Sequence, residues 1–264
     1  MEKGGWRFAS AILASGIAAM LHAAAAVAGA MVADAEGDVR VAAAGAQARA
    51  IVPGERVEPG SLVTTASGAR VMLRFDDGMW AALHENSRFR IEGFRYRQQE
   101  PAADRAAFEL LRGALRIITG ELGRRNPAAF ELRTPSLNIG VRGTDFLVAV
   151  DNRTYLSVLE GRVAATNAGG SVTFSVGDFG VAAGGKTLAA AVQAHALPAT
   201  VASAFGRLGA LRMAPPASPG AAGNAGPAKD ARARELRDDL GRNHGKDASG
   251  AARERARDLK RRAK

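Results

Sequence analysis

Through residues 37–181 one phrase recurs along the chain: a short run with apolar residues at alternate positions, then a turn built on Gly with Asp or Asn. Side chains of a strand point alternately to its two faces, so each run can bury one face and leave the other in water. The sharpest instance is Arg70-Val-Met-Leu-Arg-Phe-Asp-Asp-Gly78, where Val71, Leu73 and Phe75 share one face. Asp77-Gly78 then supplies residues that tolerate positive φ in a tight hairpin. Candidate strands lie at 39–42, 62–65, 70–75, 79–83, 87–91, 114–118, 130–133, 137–141, 145–150, 155–159, 162–166 and 171–175. With no ten-residue helical pattern between them, they predict an all-β domain at 37–182. Its form is a compact sandwich or a short β-helix-like stack of about ten to twelve short strands. Residues 100–111, rich in Ala and charge, read as a loop with a helical turn.

The flanks follow a different grammar. Lys3 and Arg7 precede an uncharged stretch over 8–33, and Ala28-Gly29-Ala30 offers small residues for cleavage, the pattern of a secretory signal peptide over residues 1–30. The alternative is an uncleaved anchor, but Ala and Gly dominate the stretch and His22 interrupts it, so it partitions weakly into lipid. Export to the periplasm or beyond is expected in either case, with membrane contact only if the leader is retained. Residues 188–213 read as an Ala-rich helical extension broken at Pro198, and 214–228, with four Pro and three Gly, as a linker. The segment 229–264 carries 13 Lys/Arg against 7 Asp/Glu, so most of the net charge of +10 sits there. With only Leu236, Leu240 and Leu259 as large apolar residues, it reads as a disordered basic tail.

The order of the phrases resembles the FecR domain, an extracytoplasmic module of iron-uptake signalling regulators and of stand-alone exported proteins. The series begins with Gly37-Asp-Val39, Pro53-Gly54 and Pro59-Gly-Ser-Leu-Val-Thr-Thr65. It continues through 69–75, Asp77-Gly78, 83–91 with Ser87, and Leu111-Arg-Gly-Ala-Leu115. It closes with Phe130-Glu-Leu-Arg-Thr-Pro135, Gly140-Val-Arg-Gly-Thr-Asp-Phe146 and Val158-Leu-Glu-Gly-Arg-Val163. The resemblance implies a binding or signal-relay module without catalysis. Signalling members carry a sigma-factor-binding segment ahead of a membrane span. Only seven residues precede the apolar stretch here, so that role is not expected to transfer. Locally, Asp77, Gly78, Gly143, Thr144, Phe146 and Gly161 read as residues that shape turns and bulges.

Reactive chemistry is sparse. There is no cysteine, which excludes disulfides and thiolate catalysis. His22, His84, His195 and His244 lie far apart without metal-ligand spacing, and no nucleophile elbow is present. Gly180-Val-Ala-Ala-Gly-Gly-Lys-Thr187 matches a phosphate-binding loop, with a strand-like run before it and an Ala-rich run after it. The alternating β-strands and helices of a nucleotide-binding fold are missing, so no enzyme, cofactor or metal is expected. The surface candidate is Arg88-Phe-Arg-Ile-Glu-Gly-Phe-Arg-Tyr-Arg97. Arg88, Arg90, Arg95 and Arg97, with Tyr96, can hold an anionic polymer by charge and stacking; the plainer reading is an edge strand with solvated arginines. Two functions follow: a binding or relay module engaging a partner protein or envelope component, or a structural spacer whose basic tail binds anionic polymer. Nucleic acid is not an expected partner.

Overall fold

The computed structural model describes residues 28–213, all but the last two of which belong to a compact unit ending at Leu211. Among these residues the strands are β1 (Ala30–Glu36), β2 (Val39–Ala42), β3 (Arg49–Ala50), β4 (Arg56–Val57), β5 (Leu62–Thr65), β6 (Arg70–Phe75), β7 (Trp80–Leu83) and β8 (Arg88–Arg95). Then come β9 (Arg105–Ile118), β10 (Phe130–Arg133), β11 (Asn138–Val150), β12 (Thr154–Asn167), β13 (Gly170–Ser175), β14 (Phe179–Ala182) and β15 (Ala190–Val192). Two helices complete the unit, α1 (Glu121–Arg125) and α2 (Ala199–Ala210). The strands join in one mixed sheet. Strands β9, β11 and β12, of 14, 13 and 14 residues, are more than twice the ~5–6 residues usual for a strand.

Each long strand changes neighbours partway along. Residues 105–112 of β9 lie against β8 and, through 106–109, β10; residues 113–118 lie between β7 and β11. On β11, 138–142 face β12 with β10 alongside, whereas 145–150 run between β9 and β12. On β12, 154–157 pair with β14, and 162–167 pair with β13. The sheet is thereby folded into two arms. One runs β3-β2-β5-β8-β9-β10-β11-β12-β13 and the other β4-β1-β6-β7-β9-β11-β12-β14-β15. Their inner faces meet in a single core, which selects the sandwich over the stack. Aromatic rings bridge the arms: Phe75 lies 4.9 Å from Phe94 and 5.3 Å from Phe108, and Phe130 lies 6.5 Å from Phe146.

The folds in the long strands fall at Gly113 (φ 90°), Gly143 (φ 60°) and Gly161 (φ 78°), a region that costs any residue with a Cβ. Gly143-Thr144 bulges opposite Gly161, and the pairing register jumps there from Arg142↔Arg162 to Asp145↔Glu160. A Cβ on Gly161 falls 2.3 Å from the Gly143 carbonyl oxygen, and one on Gly113 falls 2.2 Å from Ser87 Oγ. Ser87 is buried in this corner, donating to the His84 carbonyl (2.7 Å) and accepting from the Ala114 N–H (3.1 Å).

Three expectations change. The segment 100–111 contains a 3-10 turn at Pro101–Ala103 and then the start of β9, because Ala106, Phe108 and Leu110 alternate inward while Arg105 and Glu109 face out. In 188–197, Ala190–Val192 pairs with β14 and a 3-10 turn follows at Ala194–Ala196; pairing with an open strand overrides the helical preference of Ala. The run expected at 200–213 is helix α2. Ala30, assigned to the leader, is fully buried in β1, opposite Val57 and Phe75. The basic tail lies outside the described residues.

Because the corners demand glycine to different degrees, substitutions there grade. Gly143→Ala has room, its nearest atom being Arg124 Cγ at 3.7 Å, and loses only the left-handed strain of about 1–2 kcal/mol. Gly161→Ala adds a backbone collision and is expected to cost clearly more. Urea unfolding of the two variants checks the order.

Candidate functional site

The predicted arginine row divides. Strand β8 is paired on both sides, with β5 and β9, over Arg88–Arg90, so the edge-strand reading does not hold there, whereas Gly93, Phe94 and Arg95 are paired with β9 alone. Phe89 and Ile91 are buried, Arg88 and Arg90 face outward, and an irregularity between Ile91 and Gly93 resets the phase so that Phe94 is buried and Arg95 exposed. Arg90 is paired with Glu109 at 3.3 Å, and Arg133 of the next strand but one with Glu92. Arg95 stands across from Arg105.

Tyr96 and Arg97 belong to an internal staple. Asp104, its side chain fully buried, accepts both oxygens' hydrogen bonds from Arg125 at 2.9 Å and one from the Arg97 N–H at 3.1 Å. Arg125 also donates to the carbonyls of Arg97 and Gln98 and lies 4.6 Å over the Tyr96 ring. The Tyr96 hydroxyl donates to Glu121; burial and that carboxylate push its pKa up to about 12. The Arg97 guanidinium is held by Glu100. This network ties the end of β8, the start of β9 and α1 together, so Tyr96 is occupied rather than available for stacking.

Arg88 sits in a different setting. It lies directly opposite Arg112 on β9, and neither has an ion-pair partner among the described residues. Both line an open recess of about 310 Å³ with Arg40, Thr64 and Asn86, in which Arg40 is held by Asp38 at 3.0 Å. Arg112 and Asn86 also line a second, larger cleft of about 530 Å³ under α2, walled by Ala114, Ala149, Val201 and Ala204. His84 borders it, its pKa lowered by burial. Sequence reasoning missed Arg112; a charged residue before the corner Gly113 carried no distinguishing signal.

The predicted structural residues sit at junctions. Gly78 (φ 82°) makes the hairpin between β6 and β7. Asp77 does more than turn the chain: its carboxylate accepts from the N–H groups of Met79 (2.9 Å) and Leu122 (3.2 Å), capping α1, and burial raises its pKa. Phe146 lies in the core. Thr144 is fixed through its backbone, its N–H donating to Thr119 Oγ1 and its carbonyl accepting from the Thr119 N–H, while its own hydroxyl is buried without a partner. The loop at 180–187 is closed by Asn167, whose Nδ2 donates to the carbonyls of Gly184 and Thr187. A strand follows instead of a helix, so the phosphate-cradling geometry is absent there. No group of three or more His, Asp or Glu among the described residues is placed to hold a metal.

Residues 61–164 match the family model described as FecR protein. Over that stretch the chain matches a FecR domain. No curated protein matches. Two crystal structures of a candidate anti-sigma factor from Parabacteroides distasonis are similar at 16% and 15% identity, covering 50% of this chain, each with a TM-score of 0.41. This chain spans 59% of the length of those structures. The FecR domain takes in Arg88, Arg112 and all three corner glycines.

One functional-looking pair, unforeseen in the sequence, is structural. Arg116 of β9 and Asp145 of β11 form a buried two-pronged ion pair (2.9 and 2.6 Å), and the remaining Arg116 nitrogen donates to the carbonyls of Leu208, Gly209 and Leu211 at 2.9–3.1 Å. The carbonyl end of α2, where Leu208 also accepts from the Leu211 N–H, thus meets a cation, the favourable sign at that helix end. Arg116→Met leaves Asp145 buried and unpaired, at a cost on the order of 3–5 kcal/mol. The variant is expected to become cleavable by trypsin after Arg207, whereas the parent resists there; equal resistance shows that α2 docks without the clamp.

Proposed function

We propose that this chain is an exported, non-enzymatic relay module of the FecR type that engages a partner protein through the outer face of the arm holding β8. The FecR match supports the relay class. The observation that carries the partner reading is the pair Arg88 and Arg112, charges left uncompensated beside two clefts, while Arg40, Arg90 and Arg133 are neutralised. Asp77, Asp104 and Asp145, the buried carboxylates of this domain, are each held by hydrogen bonds that serve the fold, which argues for recognition over acid–base chemistry.

On the export reading, cleavage falls ahead of Gly29. Its N–H donates to Asp76 at 2.8 Å and Ala30 is buried, so a cut after Ala30 would strip part of β1. The run Ala23–Ala28 offers small residues for the earlier cut.

The spacer reading assigns the work to the basic residues 229–264. Affinity capture from the cell-envelope fraction separates the two. With the full chain and with a chain lacking 229–264, the relay reading expects the same specific partner in both; loss of that partner on deletion favours the spacer.

A further inference from the structure

Like charges directly opposite each other on neighbouring strands destabilise a sheet, and other arginines on this face avoid the cost by pairing. Arg90 has Glu109, Arg133 has Glu92 and Arg40 has Asp38. Arg95 and Arg105, facing each other at the far end of β8 and β9, have no ion pair among the described residues but border a hollow that also holds Asp104 and Glu131; Arg88 and Arg112 are the second such couple. They face each other across β8 and β9 where the register is irregular, both exposed, at the floor of a recess that adds the Thr64 hydroxyl and the Asn86 amide. Asn86 holds a φ of 56°, the one positive value at a non-glycine position among the described residues. The turn that carries Asn86 is pinned from below by Ser87, buried against Gly113, so the two arginines project from fixed backbone. Two guanidinium groups with hydroxyl and amide neighbours form a preorganised receptor for a carboxylate, which accepts from both at once.

The adjoining cleft extends the chemistry. Arg112 and Asn86 form the ridge between the recess and the larger cleft under α2, so the two hollows meet at these residues. The larger cleft combines an apolar wall of Ala114, Ala149, Val150, Val201 and Ala204, suited to an apolar side chain, with a polar rim that includes Glu85 and Asp151. We infer that this ridge binds an acidic segment of a partner protein, with a Glu or Asp carboxylate clamped between Arg88 and Arg112 and a neighbouring apolar side chain lodged under α2. The inference rests on the relay reading and gives its partner a chemistry. Charge complementarity favours a peptide here over a membrane: a lipid surface needs a broad basic face, and Asp38, Glu92 and Glu109 interrupt this one.

The full chain is titrated with a fluorescein-labelled octapeptide alternating Glu and Leu, and with its Gln-for-Glu counterpart, at physiological ionic strength (~0.15 M). The Glu peptide is expected to bind and the Gln peptide to bind at least about tenfold more weakly, the loss of one charge-assisted contact. Arg88→Gln combined with Arg112→Gln is expected to lower affinity for the Glu peptide by about tenfold or more. The same double variant should keep or raise the melting temperature, since it removes a repulsion. Arg95→Gln with Arg105→Gln removes equal charge at the far end of β8 and β9 and is expected to leave affinity within about twofold, as screening predicts for distant exposed charges. Equal weakening by both pairs would overturn the site in favour of diffuse attraction. A lowered melting temperature in the Arg88/Arg112 variant would make the pair structural. Binding to anionic phospholipid vesicles in place of the peptide, lost in the same variant, would assign the recess to a lipid. Failure of the peptide to bind while the full chain still captures its partner ends this inference alone; failure of capture ends the relay reading.

Discussion

The fold depends on corners built into three long strands. A strand that crosses from one arm to the other must bend sharply while keeping its hydrogen-bond ladder, and only a residue without a Cβ accepts the required geometry at such close quarters. Gly143 and Gly161 supply it side by side on β11 and β12, and Gly113 supplies it on β9 at the other end of the segment paired with β11, opposite Val150. Because the same three strands form the middle of both arms, backbone joins the arms at two corners, one at Gly113 and one at Gly143 and Gly161. The apolar faces then close on each other through Phe75, Phe94, Phe108, Phe130 and Phe146. Corner and core are mutually dependent, since without the bend the alternating residues on the two halves would face different solvents.

Bending a sheet strands backbone groups, and polar side chains at the corners recover them. Ser87 and Thr65 satisfy groups around Gly113, and Thr119 engages both the N–H and the carbonyl of Thr144 beside Gly143. Two arginines extend the same logic to the helices: Arg125 locks Asp104 beside α1, and Arg116 holds the carbonyl end of α2 while Asp145 holds Arg116. Buried charges of this kind are costly unless every donor finds an acceptor, and here both arginines are used on several atoms. The surface arginines Arg88 and Arg112 lack such partners, and that contrast sets them apart from the scaffold.

Much of this was legible in the residues. Period-two alternation located the strands at 39–42, 62–65, 70–75 and 130–133, and the motif order pointed to the FecR domain. The alternation also broke at Gly143 and Gly161, and those breaks read as strand ends; in the structure they are corners inside single strands, because neighbours on both sides keep the ladder going. Strand β9 was half hidden since Ala106-Ala107 carry little strand preference and its pattern emerges only with its partners. Arg116 occupies an outward position that normally implies a solvated charge, and only the arrival of α2, from ninety residues later, buries it. Arg88 and Arg90 looked alike by alternation. What separates them is the cross-strand register, which gives one a Glu and the other an Arg.

The claim beneath all of this is that the corners make the two arms one cooperative body. Native-state hydrogen exchange on β9, β11 and β12 tests it directly, by comparing amides on the two sides of Gly113, Gly143 and Gly161. A common opening free energy for 105–112 and 113–118, and likewise across the other two corners, is the result this structure predicts. Separate opening of the two halves of each strand, with one arm exchanging while the other stays protected, would contradict it.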